Sequence, residues 1–281
     1  MANKTKVAIL YDFDKTLCTT DMQNYSFIPS LHIKPDEFWS MCNEVSKDSE
    51  MDPLLTYMYL MVRESKARGI KLTRESLNEM GKDVKYFPGV EGWFDRINDY
   101  GNNFNVEVEH YVISSGTKEI IEGTSIYSKF KKVFACEFLY VDGEAVWPKS
   151  VVNYTNKTQF LFRINKGALD ISENEKVNSV IPDDERTIPY TNIIYIADGL
   201  TDVPCMKLVK ERGGSSIAVY GRGKKPVASK LFNDERVDFI AYADYSDGSN
   251  LDNIVKLLIE KMATADKLTK IHQKQDADIG D

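Results

Sequence analysis

The chain is poor in the residues that hold soft metals: three histidines and four cysteines in 281 positions. His32, His110 and His272 stand too far apart to make a zinc motif. Cys18, Cys42, Cys136 and Cys205 include no Cys-x-x-Cys pair, so a disulfide framework is not expected and the thiols read as reduced, buried side chains. No apolar stretch reaches the ~20 residues that a membrane-spanning helix requires. Positive charge is also scarce. With 36 Lys and Arg against 43 Asp and Glu, the net charge is -7 and the pI near 5.2. That balance disfavours non-specific binding to nucleic acid or to anionic membranes. No internal repeat or low-complexity tract is visible. Residues 1–6 lead directly into an apolar run without the pattern of a signal peptide, so a cytoplasmic location is expected.

What is present is enough for a packed core. Hydrophobic residues make up 42% and aromatics 11%, and the length suits one large domain with a smaller companion. The most informative run is Val7-Ala8-Ile9-Leu10-Tyr11-Asp12-Phe13-Asp14-Lys15-Thr16-Leu17. It reads as a buried strand of a parallel sheet that ends on two carboxylates. Ligands of open α/β sheets bind just beyond the carboxyl ends of strands. Asp12 and Asp14 would point to the same side, an unfavourable pairing unless a cation lies between them or one is protonated. Alone, the run would also fit a strand closed by an ordinary Asp-rich turn.

Three more segments change that weighting. Tyr111-Val112-Ile113-Ser114-Ser115-Gly116-Thr117 is a second apolar strand, ending in small hydroxyl residues and glycine. Asn153-Tyr154-Thr155-Asn156-Lys157-Thr158-Gln159 opens a helix, with Thr155-Asn156 as its cap signal and Lys157 in the first turn. Asn192 to Asp202 is another strand closed by a pair of acids, Asp198 and Asp202. The order is Asp-x-Asp-x-Thr, apolar-Ser, Lys, then Asp-Gly-x-x-Asp.

This constellation resembles the haloacid dehalogenase superfamily, and within it the phosphoserine-phosphatase-like branch, over roughly Lys6 to Met262. Phe87-Pro88-Gly89-Val90-Glu91 and the hairpin-like Phe138 to Val146 add to the likeness, while Ser115 and Ala197 stand where that family often has glycine. The resemblance implies a Rossmann-like, doubly wound α/β core with a mainly parallel sheet and a small helical cap inserted after the first strand. It implies a Mg²⁺-dependent phosphomonoesterase working on a small phosphorylated metabolite, possibly phosphoserine-like. Asp12 would be the nucleophile, and Asp14 the acid/base, giving the metal only its backbone carbonyl. Asp12, Asp14, Asp198 and Asp202 would surround Mg²⁺, with Asp202 alternatively holding the lysine or capping the next helix. Ser114, Gly116 and Lys157 would bind the phosphoryl oxygens; Lys149 and Lys166 are rivals for the last role. Asp21, nine positions after Asp12, would read a substrate amine, or else cap the turn that follows. A phosphotransferase or mutase, and a non-catalytic metabolite-binding module, are the alternatives.

The organisation follows. Strands are expected at Val7–Tyr11, Val106–Ile113, Lys132–Cys136, Ile193–Ala197, Ser216–Tyr220 and Val237–Ile240. A catalytic core would comprise 1–20 and 87–265. Residues 21–86 would form the cap, with helices over Pro35–Val45, from Asp52-Pro53 onward, and over Thr73–Asp83. Met51, Tyr57, Met58, Tyr59 and Met61 read as helix packing. Glu173–Pro189 reads as a long surface excursion, Leu251–Met262 as a terminal helix, and 266–281 as a disordered polar tail.

Overall fold

The computed structural model describes residues 4–182 and 185–280. Among the described residues seven strands form one sheet: β1 (Thr5–Tyr11), β2 (Val106–Thr117), β3 (Lys132–Val141), β4 (Glu144–Ser150), β5 (Ile193–Ala197), β6 (Ser215–Tyr220) and β7 (Phe239–Tyr242). Their order is β4-β3-β2-β1-β5-β6-β7. All pairings are parallel except β3 with β4, which form an antiparallel hairpin at one edge. β1 sits near the middle, and Val7 to Tyr11 are wholly buried. A continuous apolar run is what a strand covered on both faces requires.

The helices, in chain order, are α1 (Phe27–Ser30), α2 (Pro35–Asp48), α3 (Pro53–Ala67), α4 (Arg74–Met80), α5 (Val90–Asn103), α6 (Lys118–Glu122), α7 (Thr158–Lys166), α8 (Asn174–Asn178), α9 (Val203–Glu211), α10 (Lys225–Asn233) and α11 (Asn250–Gly280). Helices α1 to α4 all fall between β1 and α5. Pro35 and Pro53 occupy first-turn positions of α2 and α3, where a missing N–H costs nothing. Asp52 caps α3 by accepting from Leu54 and Leu55 N–H. Thr73 and Ser76 close a reciprocal capping box, so serine fills the place where glutamate or glutamine is favoured.

This helical segment is tied to the sheet at several points. The Tyr57 hydroxyl donates to Ser115 O at 2.9 Å, and Asn153 Nδ2 donates to Asp52 Oδ2 at 2.7 Å. Arg74 pairs with Glu122 at 2.6 Å and Glu137 at 2.8 Å. Gly123, just after α6, lies so close to α4 that an added Cβ would stand 1.7 Å from Asn78 O.

Two regions differ from the reading of the sequence. Residues 266–281, expected as a disordered tail, continue α11 as far as Gly280; Asp281 lies outside the described residues. The run carries no proline, Asp266 accepts from Thr5 Oγ1 at 2.5 Å, and Lys270 pairs with Asp266 one turn on. The excursion 173–189 holds α8 and is gathered onto α7, with Asp183 and Asp184 outside the described residues. Arg163 donates to the Asp170 and Ile171 carbonyls, and Lys166 to those of Val177 and Ser179.

Candidate active site

Four strand or helix ends converge on one cavity of about 280 Å³ beyond the carboxyl ends of β1, β2 and β5. Asp12 follows β1 directly, and its N–H is held by Ile196 O at 3.0 Å, which locks the residue to β5. Lys15, immediately after the second aspartate of the pair, adopts a left-handed φ of 58°. A lysine in that region signals a turn held by its surroundings rather than by local preference. The turn brings Asp14 back over the cavity.

Lys157 is the centre of the charge arrangement. It comes from a 3₁₀ turn, Tyr154–Lys157, that precedes α7. The cap begins at Asn153, whose N–H donates to Asn156 Oδ1 at 3.1 Å, rather than at Thr155-Asn156. The fully buried ammonium donates to Asp12 Oδ1 at 3.1 Å and to Asp202 Oδ1 at 2.8 Å. Burial alone would lower its pKa, but Asp12 and Asp202 outweigh burial and hold it well above the ordinary lysine value. The rivals are engaged elsewhere: Lys149 on Glu137, and Lys166 on the carbonyls of the excursion.

The carboxylates divide by environment. Burial, reinforced by Asp202 and Asp198 and opposed by Lys157, pushes Asp12 up to about 7. Asp198 is pushed up to about 6 by burial and by Asp202. Asp14 lies well above the usual carboxylate range, through burial and the neighbouring Asp21 and Asp12 charges. Its Oδ1 accepts from Met22 N–H at 2.8 Å. Asp202, counted with the metal ligands from sequence, spends both oxygens on protein donors: Oδ1 on Lys157 and the Tyr195 hydroxyl (2.6 Å), Oδ2 on Thr201 Oγ1. Although it precedes α9, its side chain does not cap that helix.

Ser114 is fully buried at the end of β2, and its Oγ accepts from Gly116 N–H at 3.0 Å, leaving the hydroxyl able to donate. At Gly116 an added Cβ would meet Met22 Cε at 2.1 Å and Asp14 Oδ2 at 3.0 Å. A side chain here would make the Met22 thioether move and press on the Asp14 carboxylate, so glycine leaves the space beside Asp14 open. Asp21 also lines the cavity. Its carboxylate is closed on Lys15, with both oxygens 2.7 Å from Nζ, and makes no cap bond to the turn that follows.

Sequence reasoning left several lining residues without a role. Gln23, Trp39, Leu54, Tyr57 and Tyr154 line the same cavity. They belong to helical or turn segments whose apolar residues look like ordinary packing until the segment is folded over the sheet. Tyr195 was visible in its motif, but only the fold shows that it reaches Asp202.

A family model for haloacid dehalogenase-like hydrolases matches residues 9–207. The chain belongs to that family. An uncharacterized protein of Borreliella burgdorferi is 30% identical over 277 residues, spanning 88% of this chain and 94% of that one. A substrate-bound phosphoserine phosphatase superposes with a TM-score of 0.58 at 16% identity, covering 90% of this hydrolase and 99% of the phosphatase. A phospho-aspartyl intermediate analogue of phosphoserine phosphatase gives 0.53 at 17% identity, over 90% and 99% of the two chains. This hydrolase therefore has the phosphoserine-phosphatase-like fold. No helix among its described residues is long and apolar enough to cross a membrane.

Proposed function

We propose that this hydrolase is a Mg²⁺-dependent phosphomonoesterase that acts on a small phosphorylated metabolite through a phosphoryl-Asp12 intermediate. The carrying observation is the pairing of two carboxylates in opposite surroundings at the end of β1. Asp12 touches the buried Lys157 cation, which keeps a fraction of it ionised against burial. Asp14, with no such cation on its side chain, is pushed towards its protonated form by burial and by the Asp21 and Asp12 charges.

In this reading an oxygen of Asp12 attacks phosphorus as the bond from phosphorus to the leaving oxygen breaks. Asp14 hands its proton to that leaving oxygen and is left as the base. Water then attacks the phosphorus of the acyl phosphate, Asp14 takes a proton from the water, and release of phosphate restores Asp12. Lys157 and the Ser114 hydroxyl face the equatorial phosphoryl oxygens, and Gly116 lets the group approach the backbone. Asp202 and Tyr195 hold the lysine in place. The helical segment 21–86 acts as the cap that covers the leaving group.

The donor set suits Mg²⁺. Asp12 and Asp198 are carboxylates raised by burial and by the Asp202 charge, so each gains from a nearby cation. Among the described residues no three His, Cys, Asp or Glu side chains converge as a cage. A hard cation that retains several waters and takes one or two carboxylates needs no cage. Asp12, Asp198 and the Asp14 backbone carbonyl would hold it, and it would supply the charge that lets an anionic nucleophile meet an anionic phosphate.

The test is phosphate release from a set of phosphorylated metabolites, with Mg²⁺ and with excess chelator. Turnover should need the metal and disappear in Asp12→Asn, whose circular dichroism should match the parent. Metal-dependent turnover that persists in Asp12→Asn would remove Asp12 as the nucleophile. Phosphoryl transfer to an added alcohol in preference to water would make the enzyme a phosphotransferase.

A further inference from the structure

The wall that faces the leaving group has an unusual balance of charge and shape. The cations among the described lining residues are Lys15 and Lys157, with no arginine. Lys157 is spent on Asp12 and Asp202, and Lys15 on both oxygens of Asp21. A leaving group with its own carboxylate would find no free cation, and one with an ammonium would have to displace Lys15.

The neutral groups point elsewhere. Trp39, Tyr57 and Tyr154 are the aromatic residues that line the cavity. The Trp39 ring is fixed by its Nε1–H bond to Asn24 Oδ1 at 2.9 Å and by edge contacts with Phe38 and Tyr57. Tyr57 is anchored across to Ser115 O. Rings held in this way lose little entropy when a flat group stacks on them. Gln23 completes the wall. It is 2% exposed, its Nε2 donates to Thr117 Oγ1 at 3.2 Å, and its Oε1 has no partner. An unmet buried acceptor is costly unless a ligand supplies the donor.

Resting on the phosphomonoesterase reading, we infer that the preferred substrate is a phosphate ester whose alcohol carries an uncharged flat ring with a hydrogen-bond donor. The ring stacks on Trp39, and its donor meets Gln23 Oε1 once that side chain turns into the cavity. Nucleoside monophosphates and pyridoxal 5′-phosphate both present such a ring joined to a primary phosphate, and the experiment separates them.

Initial rates on nucleoside 5′-monophosphates, pyridoxal 5′-phosphate, O-phosphoserine and glycerol 3-phosphate give the ranking, while calorimetry with the dephosphorylated ring alcohols and with serine reads the wall without chemistry. At least one ring-bearing phosphate should exceed both O-phosphoserine and glycerol 3-phosphate in kcat/KM. Trp39→Leu should lower the ratio of ring-bearing to glycerol turnover about tenfold, the size of one lost stacking contact. That loss should fall on KM, with Gln23→Leu acting in the same direction. Preference for O-phosphoserine or glycerol phosphate, or a ratio unmoved by both variants, overturns the inference. Ring alcohols that bind through Trp39 in an enzyme that turns over none of the phosphates would uphold the wall and remove the phosphomonoesterase reading instead.

Discussion

Replacing Lys157 by Met tests the site at its centre. Methionine fills similar volume but removes the cation that Asp12 and Asp202 share. Breaking a buried ion pair from one side costs about 3–5 kcal/mol, because the partner carboxylates keep their burial and lose their compensation. For a chain of this size that is a fall on the order of 10 °C in the melting temperature. The sign of the pH dependence follows from Asp12. Lys157 pulls its pKa down against burial, so the variant's folded value rises beyond about 7. A folded pKa raised above the unfolded one favours folding at low pH, and that contribution is lost as pH rises through the folded value. The deficit of Lys157→Met should therefore be small at pH 5 and largest at pH 8, measured by thermal melts in chelator. Adding Asp202→Asn should restore part of the loss at pH 8. A variant melting within about 2 °C of the parent at pH 8, or a deficit that shrinks as pH rises, would refute this account of the triad.

Asp14→Asn should slow both half-reactions, and phosphoenzyme trapped by acid quench should accumulate if hydrolysis suffers more than transfer; identical trapped amounts in parent and variant would count against the acid/base role. Asp21→Asn should release Lys15 and lower KM for phosphates with an anionic leaving group, and a selective rise in KM for O-phosphoserine would instead make Asp21 the reader of an amine. Gly123→Ala should destabilise the fold by about 1–3 kcal/mol, since its methyl would enter the Asn78 backbone; an unchanged urea midpoint would contradict that packing. Burial lowers the His110 pKa to about 3, so stability should fall as pH drops from ~6.5 towards ~3, by up to about 1.4 kcal/mol per unit. His110→Asn should flatten that slope, and a slope equal to the parent's would show that other groups cause it.

The legible part of this protein was the part in which chemistry and sheet topology impose the same residues. β1 and β5 each run from buried apolar side chains straight into acids, a pattern that few other demands on a strand would produce. The hairpin of β3 and β4 was visible only as a hairpin-like stretch, Phe138 to Val146, without β4 among the expected strands; its turn is Asp142-Gly143, where both residues take positive φ. Strand ends were harder: β2 runs on to Thr117 and β3 to Val141, past the points where their apolar runs stop, because pairing with a neighbour extends a strand beyond its hydrophobic stretch. The tail misled because polar residues were read as unable to order themselves, whereas a helix already nucleated by Leu251 to Met262 propagates into them at little further cost.

The cavity wall was the least legible, for a physical reason. The reacting groups lie on sheet-end segments, where a one-residue shift would turn a carboxylate out of the site, so position in sequence fixes position in space. The leaving-group wall is built from residues between 21 and 86 and from Tyr154, brought together by the packing of separate helices. Trp39 lies in α2 and Tyr57 in α3, and nothing in their local spacing distinguishes a ring facing a ligand from one facing a neighbour. The distinction rests on long-range bonds, Tyr57 to Ser115 O and Gln23 to Thr117 Oγ1, that span 58 and 94 positions. It follows that reaction type is carried by short motifs in this chain, while substrate choice is carried by tertiary contacts. The same separation makes the two readings independently testable: substitutions at Trp39 or Gln23 should redistribute preference among substrates, whereas substitutions at Asp12 should silence them all.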